Sequence, residues 1–99
     1  MEIKKTASGA LVTLQLAGRL DTTTAPELEA EIKASLEGTR ELIIDMNALE
    51  YISSAGLRVL LSAQKAITKQ EGRMVVRGAN ESILDVFTVT GFCDILNIE

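Results

Sequence analysis

Two short apolar runs limit what this chain can fold into more than any other feature. Leu42-Ile43-Ile44 stands between Glu41 and Asp45, and Met74-Val75-Val76 stands between Arg73 and Arg77. Neither run alternates apolar with polar residues, so each reads as a strand covered on both faces, the first of them central in its sheet. Between them the apolar residues recur at helical spacing. Leu57, Leu60, Leu61 and Ile67 fall on one helical face, with Ala63 and Ala66 allowing close approach to the sheet. A strand, a helix and a strand in that order require a crossover, and such crossovers are right-handed and join parallel strands.

The flanking segments extend this pattern. Ile3 to Thr6 and Leu11 to Leu16 border a connection containing Ser8-Gly9, which reads as a hairpin. In the second run Val12, Leu14 and Leu16 alternate with Thr13 and Gln15, the period of a half-buried strand. Gly18 is expected to break that strand, leaving Arg19-Leu20-Asp21-Thr22-Thr23 as a polar loop. Thr24 and Glu27 have the spacing of a capping box. Pro26 is tolerated in a first helical turn, and Leu28, Ile32 and Leu36 follow at intervals of four. Gly38 is expected to stop this helix in a left-handed conformation. After Asp45 the pattern predicts a loop through Asn47, with Leu49 and Ile52 tucked inward. Gln70-Glu71-Gly72 should end the second helix. A third helix, capped by Asn80 and carrying Ile83, Leu84 and Phe87, should stop near Gly91, and Ile95 to Ile98 should add a last strand. The fold class is therefore α/β: a mixed, mostly parallel β-sheet opened by an N-terminal antiparallel hairpin and packed with α-helices. Residues 1–99 form a single domain.

Several functions are excluded by what the chain lacks. Its formal net charge is −4 and no basic stripe is present to neutralise phosphates, so a nucleic-acid partner is not expected. It has no histidine and one cysteine, which rules out a Ser-His-acid triad and any His- or thiolate-based zinc site within the chain. No G-x-x-x-x-G-K loop is present to cradle a nucleotide. The expectation is no enzyme, no cofactor, no catalytic residue and no metal. No apolar stretch reaches the ~20 residues that cross a bilayer, and the first residues lack a signal-peptide pattern. The setting expected is cytoplasmic, without membrane insertion. Cys93, beside Phe92, is expected as a small packed hydrophobe.

The residues that invite a functional reading are Tyr51-Ile52-Ser53-Ser54-Ala55-Gly56-Leu57-Arg58-Val59-Leu60-Leu61. Two hydroxyls enter a helix here. A cap requires one of them, and the small Ala55 and Gly56 leave a hydroxyl open to a partner. Both Ser53-Ser54 and the Asp21-Thr22-Thr23 segment lie beyond the carboxyl ends of expected strands, where sites in open α/β sheets gather. Read alone, Ser54 is either a helix cap or an exposed acceptor, and Asp21 either a turn-forming acid or a docking residue. Asp45 ends a buried strand as a receiver-domain phosphoacceptor would, but no acidic pair follows the first strand to hold magnesium, so a structural role is expected.

The string from Tyr51 to Leu61 resembles the signature of STAS domains, in particular the sporulation-type anti-sigma factor antagonists. Gly18-Arg19-Leu20-Asp21 before the Pro26 helix, Leu42 to Asp45, and Gly91-Phe92 with Asp94-Ile95-Leu96 are similar to further blocks of that family in order and spacing. The resemblance implies a STAS fold, with relatives continuing past the position of Glu99 into a final helix. It implies an anti-sigma factor antagonist, or anti-anti-sigma factor: the unphosphorylated form binds an anti-sigma factor serine kinase and so releases a sigma factor, phosphorylation switches it off, and a PP2C-type phosphatase resets it. Aligned on Gly56-Leu57, the phosphoacceptor it implies is Ser54, and Ser53 stands where the family carries aspartate. Asp21, Thr22, Thr23, Ser53, Ala55, Gly56 and Arg58 are the implied partner-binding residues. The alternative within the same family is a STAS subunit of a lipid-transport or stressosome-like complex.

Overall fold

The computed structural model describes residues 1–99. The chain runs β1 (Glu2–Ser8), β2 (Leu11–Leu20), α1 (Ala25–Ser35), β3 (Glu41–Ile52), α2 (Ser54–Lys69), β4 (Arg73–Arg77), α3 (Glu81–Thr90), a 3-10 turn (Phe92–Asp94) and β5 (Asn97–Ile98). The five strands form one sheet in the order β1-β2-β3-β4-β5. β1 and β2 are antiparallel, and the other three pairings are parallel. This is the mixed sheet expected from the sequence, with the hairpin at its N-terminal edge.

Two strands are longer than the sequence pattern predicts. β2 does not stop at Gly18 but continues to Leu20, because Gly18 takes φ +99° and lets the strand bend without ending. β3 does not stop at Asp45 but continues to Ile52. Its register with β2 slips twice, between the Gln15/Asp45 and Ala17/Ala48 pairs and again before Arg19/Tyr51. Each slip inserts one extra residue in β3, and these bulges hid the strand by breaking its alternation. Asp45 pins the first of them: its Oδ1 accepts from the Asn47 backbone N–H at 2.9 Å and from Asn47 Nδ2 at 2.7 Å. The structural role expected of Asp45 is this one.

The three crossovers all step the same way across the sheet, so right-handed connections place α1, α2 and α3 on one face. The core lies under them. Val12, Leu14 and Leu16 of β2, Leu42, Ile44 and Met46 of β3, and Met74 and Val76 of β4 meet Leu28, Ile32, Leu57, Leu60, Ile67, Ile83 and Phe87 from the helices. The apolar runs are buried on both faces, as expected, although no helix covers the far side. Ile43 and Val75 point there yet are only 6% and 2% exposed. They occupy one row of the sheet, Thr13-Ile43-Val75-Asn97. The rows on either side are Leu11-Glu41-Arg73 and Gln15-Asp45-Arg77, and the stems of long polar side chains at such positions can cover apolar neighbours.

The helix ends hold further corrections. Asn80 caps α3 as expected, accepting from the Ile83 N–H at 2.8 Å, and α3 stops at Gly91 in the left-handed region. α2 ends differently: Glu71, not a glycine, takes the left-handed φ of +62°. Gly72 stays where a side chain would meet Arg40 O at 2.9 Å and the Ile67 side chain. Leu84 is exposed, and so is Cys93, contrary to its expected burial. Cys93 lies in the 3-10 turn, which leads to a β5 of only two residues.

Candidate functional site

The carboxyl ends of β2 and β3 bring the two candidate segments together. Ser53 N–H donates to Leu20 O at 2.9 Å, so the start of α2 is tied directly to the end of β2. Because the strands run on to Leu20 and Ile52, the connections are much shorter than the sequence implied: Asp21–Thr24 on one side and Ser53 alone on the other.

In the first connection Asp21 forms the turn. Its Oδ1 accepts from the backbone N–H of Thr23 at 3.0 Å and of Thr24 at 3.1 Å, and Ala25 N–H closes onto Asp21 O at 2.8 Å. The N–H of Thr24, with smaller help from Thr23 and the Arg19 charge, holds the Asp21 carboxyl below its ordinary value of 3.8 against the opposing effect of desolvation. The expected capping box of Thr24 and Glu27 does not form, since Thr24 makes no side-chain cap. Its hydroxyl donates to Arg19 O at 2.8 Å and accepts from Asp21 N–H at 2.9 Å. The first N–H groups of the helix go to backbone oxygens instead, Ala25 to Asp21 O and Glu27 to Thr24 O, and Thr22 and Thr23 are exposed with no structural duty for their hydroxyls.

In the second connection the two serines separate cleanly. Ser53 occupies the N-cap position with extended backbone, φ −105° and ψ 177°, but its side chain makes no cap bond. Its Oγ is buried and has no partner. Ser54 is the first helical residue and is exposed. No acidic residue lies in the first turn of α2. The arrangement is therefore one closed hydroxyl and one open one, the latter at the positive end of a 16-residue helix.

The neighbours fall into two groups. Thr22, Ala55 and Arg58 line a shallow depression between α1 and α2, together with Pro26, Glu29 and Ser62. Gly56, expected at the partner surface, is buried instead: a β-carbon there would lie 2.7 Å from Leu20 Cγ and 2.9 Å from Ile52 Cγ1. Its place in the string is explained by α2 resting on the strand ends, which only a residue without a side chain permits.

Two residues outside the expected set join this rim. The guanidinium of Arg19 lies 4.2 Å from the centroid of the Tyr51 ring, and its Nε is 3.9 Å from Asp21 Oδ2. Both residues were hidden by the early ends assigned to β2 and β3. The signal in the sequence was the pair of aromatic and cation immediately before the two inward-facing residues Ile52 and Leu20.

The fold is that of a small STAS-type domain, and residues 2–99 match the STAS domain family. The chain belongs to that family. It is 36% identical over 84 residues to BtrV of Bordetella bronchiseptica, named as a candidate anti-sigma factor antagonist, covering 84% of this chain and 72% of BtrV. It is 25% identical over 99 residues to the anti-sigma-B factor antagonist of Staphylococcus aureus strain NCTC 8325 / PS 47, covering 99% of this chain and 92% of that protein. Among solved structures it shares its fold with the anti-sigma factor antagonist SpoIIAA in its unphosphorylated form, with a TM-score of 0.80 at 16% identity over 99% of this chain and 87% of that one. The Bacillus cell fate determinant SpoIIAA in its phosphorylated form gives 0.79 at 17% identity, over 99% and 91%.

Proposed function

We propose that this domain is an anti-sigma factor antagonist: unphosphorylated, it binds an anti-sigma factor kinase and so frees a sigma factor. Phosphorylation of Ser54 by that kinase ends the binding, and a PP2C-type phosphatase restores it. The observation that carries the reading is the division of labour between the serines. Ser54 is exposed and free of cap duty while the Ser53 hydroxyl is buried, and a kinase needs a hydroxyl it can reach. Named relatives with anti-sigma antagonist roles, matched along nearly the whole chain, support the choice of partner class.

The switch follows from charge. A phosphoserine adds about −1.5 to −2 charges at neutral pH. Within the domain that charge is tolerated, because it sits at a helix N-terminus whose first turn carries no acid and whose Ser53 cap is unmade. Against a fitted partner it is not, since a desolvated or like-charged phosphate costs several kcal/mol and each ~1.4 kcal/mol is tenfold in affinity. The phosphorylated domain therefore stays folded and lets go. Thr22, Thr23, Ala55 and Arg58 supply the surrounding contact surface, with Asp21 shaping the loop; Gly56 and Ser53 serve from beneath it. This is a binding part, acted upon by enzymes, with no cofactor of its own.

Purified protein incubated with its kinase and ATP should gain one phosphate, on Ser54, and Ser54→Asp should lose kinase binding while Ser54→Ala keeps it. Phosphate on another residue alone, or full binding by Ser54→Asp, would overturn the proposal. Co-purification with a transporter ATPase in place of a kinase would favour a role as a subunit of a lipid-transport complex.

A further inference from the structure

Arg19 and Tyr51 are register partners on β2 and β3, just beyond the second bulge. Leu20 and Ile52 follow them and turn into the core beneath the helices, so alternation turns Arg19 and Tyr51 to the helix-free face. They meet the Ser54 rim through Asp21, which contacts Arg19 and shapes the Thr22-Thr23 loop. The Arg19 side chain is 60% exposed and Tyr51 is 40% exposed.

Three features of this pair bear on binding. The guanidinium lies over a ring whose own strand is central in the sheet. Its Nε side faces Asp21, whose carboxylate is itself immobilised by two backbone N–H groups. The opposite edge, the parallel Nη1 and Nη2 donors, has no hydrogen bond or ion pair within the chain, and that fork matches a carboxylate with two bonds. Both contacts favour a conformation that leaves this edge open, which lowers part of the ordering cost a long cation carries into binding.

We infer that the Arg19–Tyr51 pair is a preformed carboxylate receptor that anchors the protein partner, taking an Asp or Glu side chain on the guanidinium edge and an apolar neighbour of that acid on the ring. The partner then straddles the sheet rim, touching Ser54 on the helix side and Arg19–Tyr51 on the open side. Phosphorylation acts on the first half of the interface, whereas partner choice is set by the second. This rests on the functional reading above.

The test is the binding of the full domain to the anti-sigma factor kinase that phosphorylates it, compared across Arg19→Met, Arg19→Lys and Tyr51→Ala, with the melting temperature of each variant as the control for folding. Arg19→Met and Tyr51→Ala should weaken binding about 10- to 100-fold. Arg19→Lys keeps the charge and the stem but not the fork, and should lose at least about threefold. In the phosphorylation assay the variants should raise KM for the domain and leave kcat near its wild-type value. Binding of Arg19→Met and Arg19→Lys within about twofold of wild type, with wild type bound and Ser54 phosphorylated, overturns the receptor and leaves the functional reading standing. Wild type that neither binds the kinase nor accepts phosphate overturns both.

Discussion

Ser53 and Gly56 show how residues that look like part of a surface motif act from beneath it. A serine at an N-cap ordinarily contributes about 1 kcal/mol through its side-chain bond, but Ser53 makes none and its buried Oγ lacks any partner. Ser53→Ala should therefore leave stability unchanged or raise it slightly, because it removes an unsatisfied buried oxygen. A urea midpoint lowered by the equivalent of about 1 kcal/mol would show that the hydroxyl does cap α2 in solution. At Gly56 two effects compete. Alanine gains up to about 1 kcal/mol of helix propensity, but its methyl would lie 2.7 Å from Leu20 Cγ and 2.9 Å from Ile52 Cγ1, and overpacking of this kind costs about 1–3 kcal/mol. Overpacking wins, so Gly56→Ala is expected to lose up to about 2 kcal/mol in urea denaturation. Weakened partner binding by a fully stable Gly56→Ala would return this residue to the interface. Which serine is open and which is closed could not be read from adjacent letters, since it depends on where β2 ends relative to α2.

At the scale of elements, the helices were legible nearly to their ends and the strands were not. α2 and α3 were announced by apolar spacing, and α3 also by Asn80 and Gly91, because helix signals are local to one segment. α1 shows the limit of such signals: Thr24 and Glu27 have capping-box spacing, yet no side-chain cap forms and the Asp21 carboxylate shapes the turn before the helix. β2 and β3 were seen only in their regular halves, since beyond Gly18 and Asp45 the alternation is interrupted by bulges that only the partner strand defines. The end of α2 carries a cost of its own. Glu71 holds a φ of +62°, which a side-chain-bearing L-residue adopts at about 1–2 kcal/mol. Glycine there gives back part of that as unfolded-state entropy, so Glu71→Gly should stabilise the domain by about 0.5–1 kcal/mol, read as a raised melting temperature. A lowered one would show that the Glu71 side chain contributes something its exposed position does not reveal.

For the molecule as a whole, two carboxylates couple stability to acid. Asp21 is held below the ordinary value of 3.8 chiefly by the Thr24 N–H, and Asp45 chiefly by the Asn47 N–H, each against the opposing effect of burial. The folded state thus binds fewer protons than the unfolded state near these values. The contribution is fully present above about pH 4 and is lost as pH falls through the lowered folded pKa values. The double variant Asp21→Asn, Asp45→Asn should flatten the acid limb of a stability–pH curve below pH 4 while leaving its shape above pH 5 unaltered. An unchanged acid limb would mean that other carboxylates govern acid unfolding. By itself the sequence determined the α/β class, the order of hairpin and crossovers, the helices and the one string of residues on which function is proposed, because apolar period and turn chemistry act within short segments. Only the tertiary structure decided that all helices share one face, that Ser53 is closed and Ser54 open, that Gly56 lies inside, and that Arg19 stacks on Tyr51. Each of these depends on register between strands distant in the chain, and a shift of one residue in that register exchanges the inner and outer faces.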